Sequence, residues 1–354
     1  MRCENCDDFK GFSDNVYSVI SDNANYEIDL QFYLTQRCNL SCRGCYMAAS
    51  PNVSGDVLPI DDISFYLNEF GKNQQFTGDV VLSGGEIFTL PIDYVESASR
   101  QILNRGYGLQ LKTNGLWVDD LKKRDGVVAM LRRLKPGRGL TASKEQFHDF
   151  LASKPKWFLR MLGRNIVSMW MYKSLPTKSL LSMAVSVDDM LHPAKSADWF
   201  VKIVNLITND KHLRNKVELK SFTLLDSVPM FESCVLNNPN LKVQNFSELS
   251  KGYGAKYMVN GVQIESYIGD FVDVKNVSDN EKLSNFVLPS LGNGMGRLVY
   301  CFFPDKTVGL DSWFLESVGR VSYVKADGSQ KTFDEIRHDI CSKLILDYKK
   351  AIAK

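Results

Sequence analysis

Three cysteines within the stretch Thr35-Gln36-Arg37-Cys38-Asn39-Leu40-Ser41-Cys42-Arg43-Gly44-Cys45-Tyr46 are the side chains of this chain best suited to chemistry. Their spacing is C-x3-C-x2-C, directly after an apolar run. Three thiols cannot all pair with one another as disulfides, and Asn39, Arg43 and Gly44 indicate a polar loop rather than a core. Thiolate is the preferred ligand of iron–sulfur clusters and of zinc. A four-iron cluster held by three local thiolates keeps one iron open to a substrate or cofactor, which suggests chemistry rather than a structural clip. The alternative is a structural zinc site, which wants four closed ligands, usually as two paired units. No second pair follows within finger distance, and the nearest histidine is His148.

Three later segments have the form of strands that end in ligand-type turns. Asp79-Val80-Val81-Leu82 is a short apolar run ending in Ser83-Gly84-Gly85-Glu86. Paired glycines at a strand end let the backbone approach a ligand closely, with no Cβ in the way. Leu109-Gln110-Leu111-Lys112-Thr113-Asn114-Gly115 ends in Asn-Gly, which favours positive φ and stops a strand sharply. Gly139-Leu140-Thr141-Ala142-Ser143 is followed by Lys144-Glu145-Gln146-Phe147-His148, and a similar phrase recurs at Ser186-Val187-Asp188-Asp189-Met190-Leu191-His192.

This set of motifs resembles the radical S-adenosylmethionine (SAM) superfamily, whose signature is C-x3-C-x2-C with an aromatic residue beside the last cysteine, here Tyr46. The resemblance implies that Cys38, Cys42 and Cys45 hold a [4Fe–4S] cluster whose fourth iron is chelated by SAM. It further implies reductive cleavage of SAM to methionine and a 5′-deoxyadenosyl radical, which abstracts hydrogen from a substrate C–H bond. The cofactor carries the hard chemistry and the protein orients it. On this resemblance Gly84, Gly85 and Glu86 hold the methionine part of SAM, Tyr46 packs near adenine, and Asn114 lies at the pocket rim. The ribose contact falls to Ser143 by order along the chain, with Ser186 as the other candidate; Glu145 stands where relatives usually have Asp.

Strands are expected near 29–36, 79–83, 108–113, 138–143, 180–187 and 217–223. Helices are expected near 61–72, 92–105, 118–134, 144–153, 195–209 and 227–237. Such alternation argues for βα units on a parallel sheet. By resemblance this is the partial (β/α)6 TIM-type barrel of the radical SAM fold, an α/β class. Ligands in such barrels bind at the C-terminal ends of the strands, where all these motifs fall. After about residue 240 the character changes to short strands (257–267, 298–303, 319–324) and a terminal amphipathic helix from Lys331 to Lys354. The expected organisation is an N-terminal extension (1–27), a core barrel (28–240) and a smaller α+β C-terminal region (241–354).

Cys3, Cys6, Cys234, Cys301 and Cys341 remain. Peptide-modifying relatives carry a C-terminal SPASM or twitch extension with auxiliary clusters. Cys301 followed by Pro304-Asp305-Lys306-Thr307-Val308 resembles a fragment of one, with Asp311 and Ser312 where a second cysteine is expected. A second cluster would draw on Cys3 and Cys6 with Cys301 or Cys341. Composition is ordinary, at 44% hydrophobic, 24% charged and net charge +2. No basic excess points to nucleic acid, no apolar run has the length of a membrane helix, and the start is too polar for a signal peptide. Eight cysteines without a secretion signal suggest the reducing cytoplasm. The expected substrate is a ribosomally made peptide. The absence of a recognisable leader-binding domain leaves a small metabolite (sugar, nucleotide or amino acid) as the alternative. An electron donor such as flavodoxin or ferredoxin is implied.

Overall fold

A computed structural model of the chain describes residues 27–135, 181–187, 196–224, 241–248, 254–259, 262–269, 297–310 and 319–352, apart from positions 43, 44, 46, 54, 74 and 242, together with 230, 233, 234 and 238. Five parallel strands lie side by side in chain order: β1 (Glu27–Tyr33), β2 (Phe76–Ser83), β3 (Gly108–Thr113), β4 (Leu181–Ser186) and β5 (Glu218–Leu224). Helices α1 (Ile60–Phe70), α2 (Ile92–Leu103), α3 (Leu121–Arg133) and α4 (Ser196–Asn209) fall between or after them. The buried side chains of α1 to α4 share one core on a single face of the sheet, as right-handed crossovers between sequential parallel strands require.

The side-chain pattern agrees. On β1, Ile28, Leu30 and Phe32 are fully buried in the main core, while Asp29, Gln31 and Tyr33 point to the other face. On α1, Ile63, Tyr66, Leu67 and Phe70 recur at helical spacing and are all buried. Burying each such side chain contributes about 1.5–3 kcal/mol. Helix α3 starts where it does because the Asp120 side chain accepts from the Lys123 N–H at 3.1 Å.

The C-terminal strands extend both edges of this same sheet. β6 (Val243–Glu248), β7 (Gly254–Val259) and β8 (Val262–Gly269) form an antiparallel run whose last strand pairs parallel with β5. At the opposite edge β9 (Arg297–Phe302) pairs parallel with β1, followed by antiparallel β10 (Thr307–Leu310) and β11 (Val321–Ser322). The result is an open eleven-stranded sheet in the order β11-β10-β9-β1-β2-β3-β4-β5-β8-β7-β6. Helix α5 (Phe333–Ile352) packs Phe333, Ile336, Ile340 and Leu344 into the main core.

One expectation changes. The single strand expected at 257–267 is a hairpin, β7 and β8, and the residues between them are Asn260-Gly261, the dipeptide that favours two-residue hairpin turns. Strands β3 and β4 pair directly, from Leu109↔Leu181 to Thr113↔Val185. The strand expected at 138–143, with the helix after it, lies outside the described residues. Helix 227–237 lies almost wholly outside them too.

Parallel strands covered on both faces usually read as continuous apolar runs. Here the face away from the helices carries Asp29, Gln31, Lys112, Ser182 and Lys220, of which Gln31 is 2% and Lys220 9% exposed. Lys112 donates to the Gln31 side-chain carbonyl at 3.3 Å and lies over the Phe222 ring. Polar residues this deep mark the face on which a site would be built.

Candidate metal and cofactor site

Because β1 to β4 are parallel, the loops that follow them emerge at one end of the sheet. The cysteine loop leaves β1 there. Its neck is closed by the Arg37↔Ser50 bridge and by a Cys38 N–H to Ser50 carbonyl bond of 3.2 Å. Inside the loop the Cys45 N–H donates to the Cys42 carbonyl at 3.3 Å and the Ala48 N–H to the Cys45 carbonyl at 3.0 Å. Ala48 takes a left-handed φ of 47°.

The Gly84-Gly85-Glu86 turn at the end of β2 presses on that loop. The Gly85 N–H donates to the Thr35 carbonyl at 2.7 Å and the Glu86 N–H to the Arg37 carbonyl at 3.0 Å. A Cβ on Gly84, whose φ is 137°, would lie 2.4 Å from the Thr35 carbonyl oxygen; one on Gly85 would lie 2.3 Å from that of Arg37. The close approach these glycines permit is therefore to the chain leading into Cys38.

Glu86 is 1% exposed. Its Oε1 accepts from the Phe88 N–H at 3.0 Å and its Oε2 from the Asn114 N–H at 2.7 Å, while the Thr113 hydroxyl lies 2.8 and 2.9 Å from the two oxygens. Burial raises its pKa, against these hydrogen bonds, which favour the ionised form. The carboxylate thus ties the end of β2 to the end of β3.

At that end of β3 the Asn114 side-chain oxygen accepts from the Leu116 N–H at 3.0 Å, and its Nδ2 donates to Asn39 Oδ1 at 2.7 Å. Nδ2 also lies 3.8 Å from Cys38 Sγ. Gly115 follows with a φ of 84°, and its missing Cβ makes room for Ile203 and Val185.

Cys38 is buried in a small apolar cluster with Tyr33, Met47, Ala49, Cys301 and Phe303, against which Cys45 also packs. Tyr33 and Phe303 stack at 4.7 Å. Burial pushes the Cys38 thiol up to about 12, opposed by the Leu40 N–H that donates to its sulfur and reinforced by the charges of Glu86, Cys42 and Cys45. Cys42 and Cys45 are half-buried.

Cys301 joins this cluster through β9, where it lies opposite Gln31 of β1. Nothing in local sequence announces a parallel pairing across so many residues; the faint signal was the fragment Cys301 to Val308. Cys341 lies on the other side of the sheet, buried in the main core on α5. A second cluster that uses Cys301 would therefore not reach Cys341. Cys3, Cys6, Tyr46, Ser143 and His148 lie outside the described residues, as does His192. Ser186 stands at the end of β4, beside the end of β3.

Among the described residues no three His, Cys, Asp or Glu side chains already converge as a formed metal site. The donor set itself suits an iron–sulfur cluster: three thiols on one closed loop, one of them in an apolar pocket with an N–H aimed at its sulfur. No described helix is long and apolar enough to cross a membrane.

No protein-family model matches the chain, and no curated protein matches it. Among solved structures it is similar to SuiB of Streptococcus suis bound to the precursor peptide SuiA, at 11% identity and a TM-score of 0.42, over 95% of this chain and 69% of that one. The same protein bound to S-adenosylmethionine aligns at 10% identity and a TM-score of 0.38, over 95% and 74% of the two chains. Methylornithine synthase (PylB) aligns at 11% identity and a TM-score of 0.37, over 99% and 93%. Alignments this distant carry no weight for function, which rests on the chain's own residues.

Proposed function

We propose that the chain is a radical SAM enzyme, with Cys38, Cys42 and Cys45 as ligands of a [4Fe–4S] cluster and SAM bound beside it at the ends of β2, β3 and β4. The observation that carries this reading is the mutual hydrogen bonding of three segments far apart in sequence: the cysteine loop, the Gly84-Gly85-Glu86 turn and the Thr113-Asn114-Gly115 turn. All three meet at the strand ends where ligands bind in folds of this kind. When bound, the cluster would supply the electron for reductive cleavage of SAM, the chemistry that permits hydrogen abstraction from a substrate C–H bond.

The chain's own residues then have defined tasks. The cysteine loop gathers its thiolates on the metal as binding displaces their protons. The Gly84-Gly85-Glu86 backbone would line the side that takes the methionine part of SAM, and Glu86 holds the neighbouring turn in place. By the resemblance, Tyr46 would flank adenine. For the ribose we retain Ser143 and give Ser186 equal standing, because Ser186 ends the strand next to β3. Residues 28–240 form the catalytic core in this reading, and 241–354 shape the substrate side.

The proposed substrate is a ribosomally made peptide, supported by the SPASM-like fragment from Cys301 to Val308 and its position beside the cysteine loop. A small metabolite is the second reading, supported by the charged inner face with Lys112 and Lys220. We place the enzyme in the cytoplasm on its cysteine usage, with flavodoxin or ferredoxin as electron donor. The test is 5′-deoxyadenosine formation by anaerobically reconstituted protein given SAM and dithionite, with iron counted on the same sample. Nucleoside formation supports the reading; bound zinc and no nucleoside would overturn it.

A further inference from the structure

We propose that Asn114 directs a side-chain N–H at the Cys38 sulfur and thereby raises the reduction potential of the cluster. The inference rests on the radical SAM reading and adds to it a residue that acts on the cluster rather than on SAM.

The orientation of the Asn114 amide follows from its hydrogen bonds. Its oxygen accepts from the Leu116 N–H at 3.0 Å, closing a turn over Gly115. Its backbone N–H is held by Glu86 Oε2 at 2.7 Å. With the oxygen committed to Leu116, the NH2 must face the cysteine loop, so no flipped amide satisfies the same partners. One N–H goes to Asn39 Oδ1 at 2.7 Å, and the second lies toward Cys38 Sγ at 3.8 Å. Asn114 is 6% exposed and leaves little room for water to compete.

The groups around the sulfur are placed to donate to a metal-bound thiolate. As a thiol, Cys38 finds one acceptor, Asn39 Oδ1, at a long 3.7 Å. As a thiolate it only accepts, and two donors face it, the Leu40 N–H at 3.4 Å and Asn114 Nδ2. The surrounding side chains are apolar, namely Tyr33, Met47, Ala49 and Phe303. A donor in so dry a pocket acts more strongly than it would in water. Reduction adds negative charge to a cluster and its sulfurs, so a donor there favours the reduced form.

Two variants separate this role from a structural one. Asn114→Asp keeps the oxygen that accepts from Leu116 but replaces the donor with a negative charge. Asn114→Ser keeps an oxygen near the same N–H and has no group that reaches the sulfur. Each is reconstituted anaerobically with iron and sulfide, the iron is counted, and the midpoint potential is read by redox titration followed by electron paramagnetic resonance. The expected result is wild-type iron content with the reduction equilibrium weakened about tenfold, a shift of about 59 mV to more negative potential for one electron. Asn114→Asp should shift further than Asn114→Ser. Wild-type potentials in both variants overturn the inference, and so does loss of iron from both, since a residue that only tunes the cluster leaves its ligation intact. A wild-type protein that takes up no iron overturns the functional reading itself.

Discussion

Replacing Gly85 by alanine adds one methyl group where the backbone leaves no space. The new Cβ would lie 2.3 Å from the Arg37 carbonyl oxygen, 2.7 Å from its carbon and 2.8 Å from the Gln36 carbonyl oxygen. All three are main-chain atoms, so no rotamer change relieves the clash. Restoring ordinary contact requires the chain at 36–37 to retreat by roughly 1 Å. That movement strains the Gly85 N–H to Thr35 and Glu86 N–H to Arg37 bonds, now 2.7 and 3.0 Å. Two lost hydrogen bonds cost about 2 kcal/mol together and overpacking a further ~1–3 kcal/mol, so the expected loss is about 3–5 kcal/mol. For a chain of this length that lowers Tm by roughly 4–7 °C. Cys38 follows Arg37 directly, so iron uptake should fall as well. Gly55→Ala is the matched control, since its Cβ would meet nothing within 4 Å. The assay is thermal unfolding by circular dichroism of metal-free protein, paired with iron content after anaerobic reconstitution. A Gly85→Ala protein that melts with the wild type and binds the same iron would refute the claim that this turn positions the cysteine loop.

Three further outcomes are expected. Cys42→Ala should abolish cluster binding and SAM cleavage, read by iron content and 5′-deoxyadenosine yield; full turnover would remove Cys42 from the site. Tyr323→Phe removes the hydroxyl that donates to buried Asp62 at 2.9 Å and should cost about 1–3 kcal/mol in urea unfolding. An unchanged midpoint would mean that this link between the segment after β11 and α1 contributes nothing. Glu96 is held below the usual carboxylate range by hydrogen bonds from Arg133, with Arg100 adding to them against a burial penalty. A carboxylate whose folded pKa is lowered stabilises above its unfolded value and loses that contribution as pH falls through its folded value. The advantage of wild type over Glu96→Gln should therefore shrink as pH drops below 4.5; a constant gap in chemical denaturation from pH 7 to pH 3 would refute it.

The positions of β1 to β5 and of the helices beside them were legible in the chain, because alternation on strands and the 3.6-residue stripe on helices are local patterns. The three motif turns were legible too, since Gly-Gly and Asn-Gly carry backbone preferences that need no partner. What those glycines approach was not. Paired glycines at a strand end permit a close contact, but only the pairing of β1 with β2 shows that the contact is with residues 35–37. Glu86 reads in sequence as a ligand-binding carboxylate, whereas the fold spends its oxygens on the Phe88 N–H and on the end of β3. The Phe88 N–H is a local partner, whereas Thr113 and Asn114 are brought to it by the neighbouring strand.

The chain alone determined that three thiols share one loop and that the loop follows a strand, because both facts concern residues close in sequence. Tertiary structure decided which groups surround those thiols. Cys301 enters the apolar cluster around Cys38 because β9 pairs parallel with β1, a contact between residues more than two hundred and fifty positions apart. Cys341, nearer to Cys301 in sequence than Cys38 is, lies on the opposite face, because side chains on β9 alternate and α5 covers the side of Tyr300 and Phe302. Parallel pairing of distant strands leaves no local trace in composition or period, so the neighbourhood of the cysteine loop is a property of the sheet and its order.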